Sequence, residues 1–337
     1  MSDLSPFLVA FVGSVVLTPL SRTLGLHLRI VDNPGELSIH TRPTPRTGGL
    51  AMFVAFLSAV LFATNFSGML NGEDQGKLLA LLVGGGLVCL SGLLGDVGRI
   101  SSRVEISLVM VPAMLAILAG VMVNFIPLIY LSVPLTLFYL IGGSAAMNLL
   151  DGMDGLAPGV TAIAAFFFAL LGLQHGQPIV LILSLAVLGS ALGFLPYNLG
   201  ILNSKSKIFM GDCGSLFLGF TLTSLTVLLT SKPYDLIWFF APILIIGLPV
   251  FDTFLAVVRR VINRRHIVSG DRSHLYDLVR DRGMGSRATV LTMYGLGALL
   301  GLTGLLLIRF GLPVLVLATA EFLILLALAF RLKALQV

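Results

Sequence analysis

Apolar residues run along this chain in blocks of about 20, each separated from the next by a short polar break. The blocks fall at roughly 6–24, 47–66, 77–95, 104–123, 126–146, 157–174, 178–196, 213–231, 236–258, 288–308 and 312–331. A helix of about 20 residues spans about 30 Å, the thickness of a hydrocarbon core. Lipid offers the backbone no hydrogen-bond partners, so blocks of this length are read as helices that satisfy themselves. The pattern predicts an all-α, polytopic membrane bundle of about eleven transmembrane helices, one domain spanning residues 1–337. The division between 157–174 and 178–196 is the least distinct. There is no repeat of fixed period, no low-complexity tract and no linker long enough to divide the chain.

Composition agrees with that pattern. Hydrophobic residues make up 57% of the chain and charged residues 11%, and the mean hydropathy is +1.02. A soluble domain carries about 25% charged residues, so the composition reads as that of a polytopic membrane protein. Cys89 and Cys213 lie in or beside apolar blocks and imply no disulfide framework. Residues 1–6 carry Asp3 and no Lys or Arg, so block 6–24 is expected to be a retained first span rather than a cleaved signal.

Numbering the breaks alternately sorts the charges. One side receives 18 of the 21 Lys and Arg, and the other only Lys77, Lys232 and Arg309. The positive-inside rule makes the rich side cytoplasmic, with the N-terminus outside and the C-terminus inside. That side also collects Asp32, Asp96, Asp151, Asp154, Asp212, Asp271 and Asp277. Acids gathered among basic loops at helix ends read as a site.

Asp151 and Asp154 are three residues apart beside Gly152 and Gly155, with no basic residue in loop 145–156. Acids at a membrane boundary call for a metal, a basic partner or a ligand's hydrogen bonds; solvated loop acids beside turn glycines would carry the same signature. Asp212 stands in Ile208-Phe209-Met210-Gly211-Asp212-Cys213-Gly214-Ser215. It reads either as a Mg²⁺ ligand completed by substrate phosphates or as a helix cap shared with Ser215. Asp96 closes the third block after Gly95 and alone reads as a helix-end residue as readily as a catalyst. Asp252, inside block 236–258, is expected to face the bundle interior. The cluster from Arg259 to Arg265 is explained as a topology anchor that also attracts anionic lipid headgroups. Beyond it, Asp271-Arg272-Ser273-His274 offers an Arg able to grip diphosphate oxygens.

Four segments in order resemble the polyprenyl-phosphate N-acetylhexosamine-1-phosphate transferases of glycosyltransferase family 4. They are Pro43-Thr44-Pro45-Arg46-Thr47-Gly48-Gly49, Asn148-Leu149-Leu150-Asp151-Gly152-Met153-Asp154-Gly155, residues 208–215 above, and Pro249-Val250-Phe251-Asp252. Eleven helices would place the chain nearer the undecaprenyl-phosphate N-acetylglucosamine-1-phosphate and teichoic-acid branch than the ten-helix peptidoglycan branch. The resemblance implies Mg²⁺-dependent transfer, with Mn²⁺ as a substitute, of a sugar-1-phosphate from a UDP-sugar such as UDP-GlcNAc. The acceptor would be a polyprenyl phosphate such as undecaprenyl phosphate, and UMP would leave. This is the first membrane step of a cell-envelope polysaccharide, on the cytoplasmic face of the plasma membrane. By resemblance, Asp212 is a metal ligand and, with Asp96, catalytic; Asp96 matches the second of two adjacent aspartates and is a candidate base and further metal ligand. Phe209 matches the ring that stacks on uracil. Asn148, Asp151, Asp154 and Asn198 match the nucleotide-sugar pocket, and Arg272, His274, Arg46 and His40 match the phosphate-binding groups. The implied partners are the donor, the lipid acceptor, membrane lipids and a second copy in a homodimer, with no nucleic acid.

The chain departs from the family pattern in places. Gly95 stands where the first of the paired aspartates is expected, and Glu105 where a lysine is expected. A His-x-His-His segment is here His274-Leu275-Tyr276-Asp277, and Leu37 and Ser38 replace basic residues before His40. These departures imply a subgroup with a rearranged site. A catalytically silent relative and a membrane lipid or sugar transporter are the alternatives. Acids concentrated at helix ends and the absence of an evident inverted repeat count against transport.

Overall fold

A computed structural model describes residues 4–33, 43–67, 70–126, 128–201, 207–230, 233–266 and 273–331. His40 and Arg272, both expected at the site, fall outside the described residues. The elements are α1 (Ser5–His27), β1 (Val31–Asp32), β2 (Thr44–Pro45), α2 (Gly48–Ser67), α3 (Gly72–Asp96), α4 (Ser102–Leu108), α5 (Met110–Leu118), α6 (Ile129–Leu150) and α7 (Leu156–Gln174). They continue with α8 (Pro178–Asn198), α9 (Gly211–Leu229), α10 (Leu236–Ile245), α11 (Gly247–Ile262), α12 (Leu275–Asp281), α13 (Ser286–Phe310) and α14 (Leu312–Arg331). The fold is the all-α membrane bundle expected from the apolar pattern, with one addition: β1 and β2 pair antiparallel, Val31 opposite Pro45 and Asp32 opposite Thr44.

Among the described residues eight helices are long and apolar enough to cross a membrane, or nine if α10 and α11 are one bent span. Block 104–123 does not form one helix but the short α4 and α5. Proline explains the break: Pro112 has no N–H to give the carbonyl four residues back, and its ring crowds that carbonyl. That carbonyl belongs to Leu108, the last residue of α4. Block 236–258 bends by 84° by the same mechanism, because Pro249 addresses Ile245, the last residue of α10. In α14 the qualifying apolar stretch, Leu312–Leu328, is shorter than the other spans.

The bundle is organised around α9. Its apolar window is 89% buried inside the protein, whereas that of α1 is 22% buried and lies at the periphery. The aromatic ring of Phe217 in α9 meets Phe53 and Phe56 of α2 edge-on at 5.3 and 5.1 Å, a favoured aromatic geometry. The hydroxyls of Thr221, Ser224 and Thr226 donate to carbonyls four residues back at 2.9, 2.7 and 3.1 Å, so these buried polar groups are satisfied within the helix. At one end of α9 the C-termini of α3, α6 and α8 converge on its N-terminus.

Candidate active site

The first turn of α9 is held from two sides. Asp96, the last residue of α3, accepts the N–H of Asp212 on Oδ1 at 3.0 Å and that of Cys213 on Oδ2 at 3.1 Å. A carboxylate there satisfies two N–H groups that have no partner within the helix and faces the positive end of the helix dipole. From α6, Asn148 Nδ2 donates to Asp212 Oδ1 at 2.9 Å and to Ser215 Oγ at 3.0 Å. The sharp entry into α9 uses Gly211 at φ +74°, a conformation that a side chain would strain. Gly92, one turn before Asp96, packs against the Asp212–Cys213 peptide so closely that a Cβ would collide with its backbone.

Before α9 the chain runs extended. Phe209 N–H donates to Pro45 O at 2.8 Å, and Gly48 and Gly49 N–H donate to Phe209 O and Met210 O at 3.0 and 2.8 Å. Side chains two apart on an extended segment share a face. Lys207 and Phe209 are such a pair, and the Lys207 ammonium sits over the Phe209 ring, 5.1 Å from its centroid. Lys207 also pairs with Asp154 Oδ2 at 2.6 Å. The small ribbon sets Arg46 beside Asp32, with Nη2 to Oδ1 at 2.7 Å.

These groups line one cleft of about 1300 Å³ at that end of the bundle, containing Asp32, Arg46, Asp96, Asp151, Asp154, Asn198, Lys207, Phe209, Asp212, Tyr276, Asp277, Arg280 and Arg287. The acids of separate loops therefore meet. Asp151 is pushed well above the usual carboxylate range, first by burial and then by the charges of Asp212, Asp154 and Asp96, with Arg46 opposing. Among the described residues, six Asp side chains line the cleft against four Arg and Lys side chains.

Two expected residues stand behind the cleft wall. Asn148 reaches the site through Asp212. His274 is buried, with Nδ1 2.7 Å from Asp252 Oδ2, and the other Asp252 oxygen accepts Leu275 N–H at 2.6 Å. This pair anchors α12 from α11, and Tyr276 stacks parallel to the His274 ring with centroids 5.5 Å apart. Asn198 lines the cleft, but its side chain serves the backbone: Oδ1 accepts Gly155 N–H at 2.6 Å and Nδ2 donates to Ile208 O at 3.0 Å. It thereby ties the Asp154 loop to the Phe209 segment. The sequence reading passed over Lys207, Arg287 and Tyr294 as site residues; only the i, i+2 spacing to Phe209 marked Lys207.

A partly open cleft of carboxylates, arginines and an aromatic platform at the helix ends of a membrane bundle fits a membrane-embedded transferase. A family model described as "Glycosyl transferase family 4" matches residues 78–230. The chain is 32% identical over 310 residues to a Bacillus subtilis protein described as a probable undecaprenyl-phosphate N-acetylglucosaminyl 1-phosphate transferase, covering 89% of this chain and 84% of that one. It is 33% identical over 305 residues to the decaprenyl-phosphate N-acetylglucosaminephosphotransferase of Mycolicibacterium smegmatis, covering 81% and 74%. A phospho-N-acetylmuramoyl-pentapeptide-transferase of Bacillus velezensis is 30% identical over 325 residues, covering 89% and 94%. The chain belongs to glycosyl transferase family 4 and is a phosphoglycosyltransferase.

Proposed function

We propose that this enzyme transfers an N-acetylhexosamine-1-phosphate from a UDP-sugar to a polyprenyl phosphate such as undecaprenyl phosphate, releasing UMP. The observation that carries this reading is the convergence of Asp96, Asp151 and Asp212 with Arg46 and Phe209 in one cleft at helix ends. An acceptor phosphate anchored in lipid can reach such a cleft only at the membrane surface. The names of the relatives support the prenyl acceptor and the amino sugar. The bias of Lys and Arg supports a cytoplasmic cleft in a plasma membrane.

Mg²⁺ fits the residues present. Among the described residues no group of three or more His, Cys, Asp or Glu is arranged to hold a metal. Mg²⁺, however, is commonly held by one or two carboxylates with substrate phosphates and water. The charge-deficient acids around Asp212 supply hard oxygen donors of that kind. Asp212 is the primary ligand in this proposal and Asp96 the second; the ion would screen the two anionic substrates and the departing UMP. Each Asp96 oxygen already accepts one N–H, and a carboxylate has about four lone-pair sites, so capacity remains. In the direct route the lipid phosphate oxygen attacks the sugar-linked phosphorus, the bond to UMP breaks, and Asp96 takes the proton of the acceptor. Phe209 stacks the uracil, and Arg46 binds phosphate.

The test is UMP release by purified protein given polyprenyl phosphate, Mg²⁺ and a panel of UDP-sugars. Turnover that Asp212→Asn abolishes supports the proposal, and no turnover with any nucleotide sugar overturns it. UMP released without lipid would mark an aspartyl sugar-phosphate intermediate in place of direct attack.

A further inference from the structure

We infer that Lys207 is a specificity-determining residue: tethered by Asp154 beside the Phe209 ring, it reads the carbonyl edge of the donor's nucleobase and selects uracil over cytosine. The inference rests on the proposed nucleotide-sugar reading of this cleft and names a residue which that reading does not use.

Three observations carry it. Lys207, Asp154 and Phe209 all line the cleft. The Lys207–Asp154 ion pair is short, 2.6 Å, and neither side chain is buried, so both retain access to a ligand. The ammonium lies 5.1 Å from the Phe209 centroid, farther than the about 3.5–4.0 Å of flat apolar contact. It therefore stands over the ring at more than flat-contact distance from its centre. A base offset-stacked on Phe209 brings its edge toward that ammonium. The backbone bonds of Phe209 to Pro45 and Gly48 fix the platform beneath it.

The chemistry then discriminates. A lysine ammonium only donates hydrogen bonds, and a carboxylate only accepts them. Side by side they offer a donor next to an acceptor. Uracil presents the complement, a C4 carbonyl beside N3–H. Cytosine presents the reverse, an amino group beside an unprotonated N3, and would set donor against donor and acceptor against acceptor. A site built to hydrogen-bond a polar group strongly rejects the analogue that cannot pair.

Calorimetric titration of UMP and CMP, in the presence of Mg²⁺, into the full-length protein in nanodiscs tests this. Wild type is expected to prefer UMP by about ten- to hundredfold, the range given by hydrogen bonds to charged groups. Lys207→Met is expected to lose about tenfold in UMP affinity and most of the UMP-over-CMP ratio, while Lys207→Arg keeps the preference. Unchanged thermal unfolding of Lys207→Met would show that the fold survives. A Lys207→Met protein that binds UMP normally and retains the ratio overturns the inference and leaves the nucleotide-sugar reading standing. A wild type that binds neither nucleotide overturns both.

Discussion

The carboxyl group of Glu105 lies against Gly95: a Cβ at position 95 would stand 2.8–2.9 Å from the carboxyl carbon and both oxygens of Glu105. The two departures from the family pattern are thus one structural event. Where an aspartate would project from α3, the chain has only a hydrogen, and a carboxyl from α4 fills the space. Glu105 is buried, and among the described residues its Oε1 has no hydrogen-bond partner. Restoring aspartate alone should fail. Gly95→Asp is expected to lower the thermal midpoint sharply, since overpacking typically costs about 1–3 kcal/mol and a second buried acid adds repulsion. Gly95→Asp combined with Glu105→Lys places opposite charges together and is expected to recover most of that loss. A double variant no more stable than Gly95→Asp would sink the idea of a paired exchange.

The same burial gives a pH signature. Burial first, then the negative charges of Asp212 and Asp96, push the Glu105 carboxyl from 4.5 to about 8. The folded protein therefore keeps a proton that the unfolded chain releases. Stability from this group is fully present below about 4.5, falls as pH rises, and is lost above about 8. Glu105→Gln is neutral at every pH. The difference in thermal midpoint between Glu105→Gln and wild type is expected to widen in favour of the variant from pH 5 to 8. A constant difference across those pH values would contradict the assignment.

Asp96 and Asp212 should separate in experiment. Asp96 caps two backbone N–H groups, and asparagine can accept through only one atom. Asp96→Asn is expected to lose UMP release and also about 1–2 kcal/mol of stability, the value of a helix cap. Asp212→Asn retains an oxygen for Asn148 and removes one charge from an acidic cluster. It is expected to abolish turnover with the thermal midpoint unchanged or raised. Scanning calorimetry on both variants decides this.

Much of this was legible because lipid imposes one rule on every span: apolar length and self-satisfied backbone. The breaks at Pro112 and Pro249 were less legible, since Pro19, Pro134 and Pro196 lie inside continuous α1, α6 and α8. Neighbouring helices decide which prolines interrupt a membrane helix, and a single chain read in order does not display them. Asp96, Asp151, Asp154 and Asp212 were visible because each stands beside a glycine at or next to a helix end. Lys207 was not, because its meaning depends on Asp154 and on the pairing of its extended segment with Pro45. Asn198 read as a ligand-binding group for a related reason: its partners, Gly155 N–H and Ile208 O, are backbone atoms that no side-chain motif marks.

His274 offers the last test, because its position separates two roles. It was expected among the phosphate-binding groups, yet it is buried against Asp252, whose other oxygen holds Leu275 N–H. Removing one member of a buried hydrogen-bonded pair leaves the other without its partner, at a cost of about 1–3 kcal/mol. His274→Ala is accordingly expected to destabilise the protein strongly. His274→Asn can still donate an N–H to Asp252 from nearly the same place and should recover part of the loss. Tyr276 would loosen with α12, since its hydroxyl donates to Leu149 O at 3.3 Å beside the Asp151 loop. UDP-sugar KM should therefore rise in His274→Ala and return toward normal in His274→Asn, in step with stability. If both variants instead lost donor binding with an unchanged thermal midpoint, His274 would be touching the diphosphate, and its place as an anchor of α12 would be wrong.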